Sequence, residues 1–399
     1  MISRCLVGTF VLSQASTIFA ATAQSFTPAA QSPFSTSTNY TGQTNGSLPV
    51  ESVTEGKVFD RFIQIWLENT NFATANTTAT FRTLADQGIL MSHYYSLTHP
   101  SQPNYMATIG GSFWGAADDN SHTIPSNIGT MIDLLEAGGV SWAAYAEHLP
   151  YDGFNGTEFS STNYVTPGAD DYAYYMRKHV PPMLYDSVKT VPSRAARVRN
   201  FNDFAADVNA SALPQWMFVT PNMVDDAHDT TIDFAASWLD FWLVPLLSDS
   251  RLNNDRTLIL LTFDETENYL INNNVFAVLL GGAVPDSLRG TTDSTYYTHY
   301  SSMSTVQANW GLGSLGRGDT DKDKANVYQM VANVTGYENN DIGQPGGASI
   351  PLTNIFGNQI PLRSVREEGP SSSADCDGER RIPCHESIVM GALAFDHFN

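Results

Sequence analysis

Apolar positions along this chain fall into two kinds of run, one with the period of a strand and one with that of a helix. Phe59 to Leu67 is apolar on both faces, with Ile63, Ile65 and Leu67 on one side and Phe62 and Trp66 on the other. That is the pattern of a strand buried on both sides. Ile89 to Leu97, Val140 to Ala146, Gln215 to Val219, Thr257 to Phe263 and Val275 to Leu280 repeat it. Between them, Ile128, Met131, Ile132, Leu134 and Leu135 recur at helical spacing and stop at Gly138-Gly139. Further helices are expected around Phe201 to Ala210, over Ile232 to Leu247, and from the 297–303 segment through Trp310. Residues 150–190, rich in Tyr, Asp and Pro, follow neither period and are expected to form a long insertion over the site. Strands alternating with helices predict an α/β fold, a largely parallel sheet with helices on both faces.

The polar residues that end these runs share one place. Glu68-Asn69, the stretch Thr98-His99-Pro100-Ser101-Gln102-Pro103-Asn104-Tyr105, Glu147-His148, Asn222 with His228, and Asp264-Glu265 all follow the carboxyl end of an expected strand. In open α/β sheets that edge is where ligands bind. Ser101, between Pro100 and Pro103, is expected to open a short helix to Thr108, closed by Gly110-Gly111. A serine there caps the helix, or, set among free N–H groups at the positive end of the helix dipole, acts as a nucleophile on phosphate.

Glu68, Asn69, Asp264 and Glu265 offer only oxygen, and Ser101 adds a fifth oxygen, a donor set that favours Mg²⁺, Ca²⁺ or Mn²⁺ over a thiolate metal. The same acids are also compatible with plain solvated or capping turns. His228 is either a packed histidine or a group that contacts a phosphoryl oxygen and protonates a leaving alkoxide; His99, His122, His148 and His299 carry the same two readings.

Composition narrows the setting. The 399 residues carry a net charge of −21, which leaves no basic surface for a nucleic-acid partner. Residues 1–20 join a basic start to an apolar run ending in small residues and read as a secretory signal peptide. Residues 21–52 are Ser-, Thr-, Gln- and Asn-rich and are expected to be a flexible lead-in to one large domain over 53–365. Asn-x-Ser/Thr acceptors occur at Asn39, Asn45, Asn76, Asn155, Asn209 and Asn333, as in a glycoprotein of the extracellular or cell-wall space. Cys376 and Cys384 remain after signal removal and are expected to form one local disulfide in a tail over 366–399. No segment is apolar enough over its length to span a membrane. Arg-His-Gly-x-Arg, Gly-Asn-His-Glu and Gly-x-Ser-x-Gly are all missing, which removes histidine acid phosphatases, purple phosphatases and nucleophile-elbow hydrolases.

Ser-Gln-Pro-Asn-Tyr at 101–105 resembles the nucleophile turn of the alkaline-phosphatase superfamily. Leu-Glu-Asn-Thr at 67–70, His-Pro-Ser-x-Pro-Asn-Tyr at 99–105, Pro-Asn-x-x-x-Asp-x-His at 221–228 and Phe-Asp-Glu at 263–265 are more similar still to its phosphoesterase branch of phospholipases C and acid phosphatases, secreted fungal acid phosphatases above all. The resemblance implies an alkaline-phosphatase-like fold and one divalent metal ion on Glu68, Asn69, Ser101, Asp264 and Glu265. It implies phosphate contacts at His228 and Asn222, with His122, His148 and His299 further candidates, and small phosphate esters as substrates. The lipid-cleaving members follow Asp-Glu with Gly-Gly, whereas Thr266-Glu267-Asn268-Tyr269 stands here; sulfatases place Arg where Tyr105 stands. A phosphate monoesterase is therefore expected. A phospholipase C-like diesterase and a cell-wall glycoprotein that only binds phosphate or sugar are the alternatives.

Overall fold

The computed structural model describes residues 33–34 and 42–340. The signal segment, Asn39 and the Cys376–Cys384 pair lie outside the described residues. Eight strands form the main sheet: β1 Arg61–Leu67, β2 Ile89–Met91, β3 Trp142–Ala146, β4 Val198–Arg199, β5 Trp216–Thr220, β6 Thr257–Phe263, β7 Ala277–Leu280 and β8 Thr291–Asp293. Their spatial order is β8-β2-β7-β6-β1-β5-β3-β4. The run from β6 through β4 is parallel, β7 is antiparallel to both β6 and β2, and β8 is parallel to β2. The sheet is thus mostly parallel but mixed. An apolar run such as Val275 to Leu280 carries no signal of direction, so the reversed strand was not to be read from it.

The helices around the sheet include α1 Ala79–Asp86, α2 Ser101–Gly110, α3 Met131–Ala137, α4 Phe201–Asn209, α5 Ile232–Leu247 and α6 Tyr300–Trp310. Strand alternation assigns them to faces. Phe263, in register with Leu67, meets Phe81 of α1 at 5.5 Å between ring centroids. Trp66, one residue earlier and so on the opposite face, meets Tyr105 of α2 at 5.2 Å and His299, just before α6, at 4.2 Å. Every β6 residue is buried, and Phe62 to Leu67 are at most 1% exposed. Both faces are therefore dry, which is why these strands read as mostly apolar runs.

The 89–97 run forms β2 and then a separate two-residue strand, Tyr94–Tyr95, paired with Tyr297–Thr298. The polar Ser92-His93 step turns the chain out of the main sheet, the Ser92 N–H donating to Asp293 O at 3.0 Å. The 150–190 insertion holds an antiparallel pair, Glu158–Ser161 with Tyr172–Met176, followed by one tight turn of helix at Arg177–His179. Of the lead-in, residues 42–52 contain no helix or strand but are docked on α4: Thr44 Oγ1 donates to Asp203 Oδ1 at 2.7 Å and the Leu48 N–H to Asp207 Oδ1 at 2.5 Å. Asn45, Asn155, Asn209 and Asn333 are exposed and Asn76 is half-buried. No described helix is long and apolar enough to cross a membrane.

Candidate active site

Register builds the centre of the site. Leu67 pairs with Phe263, so β1 and β6 end level and deliver Glu68 and Asp264 side by side. The ladder runs on past the strands through Asp264 N–H to Leu67 O at 3.0 Å and Thr70 N–H to Glu265 O at 3.1 Å. From the other side, the Glu68 N–H donates to Asp226 O, beyond β5, at 2.8 Å. Asn69 adopts a positive φ of 26°, a region that asparagine tolerates better than most residues. There its N–H reaches Asp264 Oδ1 at 3.0 Å and its Nδ2 reaches Glu265 Oε1 at 2.8 Å.

Ser101 is the first helical residue of α2, with Pro100 in the cap position. Its hydroxyl makes no capping bond. It donates to Glu68 Oε2 at 3.0 Å and lies 3.4 Å from both Asn69 Oδ1 and Glu265 Oε1. Asn104, fully buried, fixes the turn that presents it. Asn104 Oδ1 accepts the Leu97 and Thr98 N–H groups at 3.0 and 3.2 Å, and its Nδ2 donates to Thr98 O at 2.8 Å. Asn104→Ala leaves two buried N–H groups unpaired and is expected to lower stability by about 2–4 kcal/mol, as measured by urea unfolding. An unchanged urea midpoint would show that the turn holds itself.

His99, one of the candidate histidines, and residues outside the expected set complete the cluster. The Tyr105 hydroxyl donates to Glu68 Oε1, His99 Nδ1 lies 2.5 Å from Glu265 Oε2, and Tyr269 stacks on His99 while its hydroxyl donates to Glu265 Oε1 at 3.2 Å. The insertion contributes His179, whose Nε2 stands 3.3 Å from Glu68 Oε1 without the alignment of a hydrogen bond. It also contributes Lys178, whose Nζ pairs with Asp119 Oδ2 at 2.7 Å. The signal in the sequence was Arg177-Lys178-His179, a basic triplet in a strongly acidic chain.

Of the expected residues, Glu68, Asn69, Ser101, Asp264 and Glu265 come together. His228 joins through Glu68 and His179, each of the three offering a ligand atom within 4.8 Å of the others. The remaining residues are placed elsewhere. His299 Nε2 lies behind the cluster, 2.6 Å from the Asp264 carbonyl oxygen, its ring against Trp66. His122 is at the rim, with Nε2 2.5 Å from Asp118 Oδ1 and its N–H on Gln102 Oε1 at 3.3 Å. Asn222 and His148 belong to a second buried cluster, where Asn222 Nδ2 reaches Asp225 Oδ2 at 2.8 Å and His148 Nδ1 at 3.2 Å.

Electrostatics at the centre favour a cation. Burial, then Asp264 and Asp226, pushes Glu68 well above the usual carboxylate range. Burial and Glu265 push Asp264 up to about 7, and burial pushes Glu265 up to about 8. Burial holds His179 well below an ordinary histidine, hence neutral and able to offer a lone pair. Asp264 Oδ2, Asp226 Oδ2 and His179 Nε2 are buried without a hydrogen-bond partner among the described residues. Crowded acids with unspent lone pairs fit a divalent ion, whose charge would offset their repulsion and their burial.

The second cluster has a pH consequence of its own. Glu147 and Asp225 are both buried in it, burial and then the Asp225 charge pushing Glu147 well up, and burial pushing Asp225 up to about 7. An unfolded aspartate releases its proton near pH 4. Between about pH 4 and 7 the fold therefore holds protons that the unfolded chain has lost, and stability falls as pH rises. The thermal midpoint of cation-free protein is expected to drop from pH 5 to pH 8, and Asp225→Asn to flatten that drop; an equal slope in the variant would assign it to other groups.

The chain matches the model of the phosphoesterase family over residues 21–313. An acid phosphatase of Aspergillus fumigatus is 49% identical over 74% of this chain and 63% of its own length. A probable acid phosphatase of Kluyveromyces lactis is 48% identical over 73% of this chain and 67% of its own length. The chain thus spans less than two thirds of the first of these relatives. A solved protein in the alkaline phosphatase superfamily from Vibrio parahaemolyticus aligns with 70% of this chain and 75% of its own, at 10% identity and a TM-score of 0.41.

Proposed function

This chain belongs to the phosphoesterase family, and on that premise we propose that it is a secreted acid phosphatase that hydrolyses phosphate monoesters through Ser101. The observation that carries the reading is the Ser101 hydroxyl, buried at the start of a helix and 3.0 Å from a carboxylate of a four-acid cluster. The acid phosphatases among its relatives support it.

Ser101 Oγ attacks phosphorus in line with the ester oxygen, its proton passing toward Glu68 Oε2. The phosphorus–ester oxygen bond breaks, and His228 supplies a proton to the departing alkoxide; Asp229 Oδ1, 2.7 Å from His228 Nδ1, orients that ring. Water then attacks the phosphoserine, phosphate leaves, and the Ser101 hydroxyl is restored. Glu68, Asn69, Asp264 and Glu265, with Ser101, would hold one divalent ion, and His179 with His228 would border it. Bound there, such an ion withdraws charge from the phosphoryl oxygens and lowers the pKa of the attacking hydroxyl. Asn69 and His99 keep Glu265 in place, Tyr105 holds Glu68, and His299 holds the Asp264 backbone.

The test is phosphate release from p-nitrophenyl phosphate and bis(p-nitrophenyl) phosphate by purified protein from pH 3 to 8, with and without chelator. Monoester turnover that peaks in acid and disappears on chelation is the expected result. Faster diester turnover would make the protein a phosphodiesterase, and no turnover of either would make it a binding protein. Recovery from the culture medium of a chain that starts after residue 20 and shrinks on glycosidase treatment would meet the secretory part of the proposal.

A further inference from the structure

Lys178 has no part in the mechanism above, yet it reaches the centre by two routes. It directly precedes His179, whose imidazole lies against Glu68, and it is bound by Asp119, whose other oxygen, Oδ1, accepts the Gln102 N–H at 2.9 Å. Asp119 thereby ties one lysine to the residue that follows Ser101. The Lys178 side chain is 17% exposed, and its pairing with Asp119 uses one of three ammonium hydrogens. An ordinary lysine keeps its proton far above neutral pH, so Lys178 is cationic across the range in which the enzyme would be assayed. An ammonium held by the carboxylate that also binds the N–H of the residue after Ser101 is placed to hold an anionic oxygen of the group being transferred.

We propose that Lys178, positioned by Asp119, binds one equatorial oxygen of the phosphoryl group and so sets the preference for monoesters over diesters. The inference rests on the phosphatase reading above. During in-line attack by Ser101 a monoester presents three unsubstituted equatorial oxygens, whereas a diester presents two and an alkoxy group in the third corner. An ammonium ion donates a strong charge-assisted bond to the first and gains little from the second. Lys178 is then a substrate-binding residue, and Asp119 a positioning residue that acts through it.

The experiment compares wild type with Lys178→Met, Lys178→Arg and Asp119→Asn. It measures kcat and KM on p-nitrophenyl phosphate and bis(p-nitrophenyl) phosphate, together with calorimetric titration of each protein with inorganic phosphate. One charge-assisted bond corresponds to about 10- to 100-fold. Lys178→Met is expected to lose that factor in monoester kcat/KM relative to its loss on the diester, and to weaken phosphate binding by a similar factor. Lys178→Arg should regain part of both, and Asp119→Asn should lie between, chiefly through KM. Equal losses on the two esters, or phosphate affinity unchanged in Lys178→Met, would overturn the proposal. A wild type that binds phosphate but turns over neither ester would instead sink the phosphatase reading, while the titrations would still decide whether Lys178 holds phosphate. Thermal midpoints of all four proteins separate loss of binding from loss of fold, and Lys178→Arg keeps the question open to refutation should Lys178→Met fail to fold.

Discussion

Ser101→Ala is expected to lower monoester turnover by about 10,000-fold or more and to leave the fold intact. The two other hydroxyls described at the cluster are phenols on packed rings: Tyr105, which also reaches Glu68, lies between Trp66 and His179, and Tyr269 stacks on His99. Removing the hydroxyl deletes one donor to Glu68 and opens no large cavity, so the unfolding free energy should shift by only about 1 kcal/mol. The variant should also leave no phosphoserine. Acid-quenched wild type should yield a phosphorylated peptide containing Ser101, and the variant should yield none. Turnover within tenfold of wild type, in protein with an unchanged thermal midpoint, would remove Ser101 as the nucleophile.

Asp264→Asn is expected to weaken divalent-cation binding and to lower turnover by about 100-fold or more. The amide keeps the shape and can still accept the Asn69 N–H, so the loss isolates charge rather than packing. Asp264 suits this test because its Oδ2 has no hydrogen-bond partner among the described residues and its neighbours Glu68 and Glu265 are themselves acids. Calorimetric titration of chelator-treated protein with Mn²⁺ reads the affinity directly, and raising the cation concentration should restore part of the rate. Unaltered Mn²⁺ affinity would move the ion to another group, Glu68 with His179 and His228 being the one at hand.

Much of this centre is legible before any coordinates, and the reason is local. Glu68-Asn69 and Asp264-Glu265 each end a seven-residue strand with five apolar residues and no acid, so the change of character marks both the strand end and the site. Ser101 stands out through its flanking prolines. What could not be read depends on contacts between distant segments. Lys178 and His179 reach the cluster through the irregular insertion, whose hairpin has no clean alternation. Asn222 and His148 follow strand ends as expected, yet the Glu147–Asp225 pair draws them into a different cluster. His299 turns its Nε2 to a backbone carbonyl, a partner no sequence pattern encodes. The expected strand over 89–97 breaks because Ser92-His93 breaks the apolar run. The described part of the lead-in, residues 42–52, polar enough to suggest a free chain, is fastened through Asp203 and Asp207, each 159 residues from its partner.

The level ending of β1 and β6 also limits which kinds of hereditary change this protein can absorb. Because Leu67 faces Phe263, inserting or deleting one residue in either strand would turn the following side chain to the opposite face and carry one acid away from the other. Substitutions in these strands would be judged by size and polarity; changes in length would be judged by whether Glu68 still arrives beside Asp264. Gains and losses of residues should therefore collect in segments such as 162–171, between the strands of the insertion, and be missing from two seven-residue strands nearly 200 positions apart.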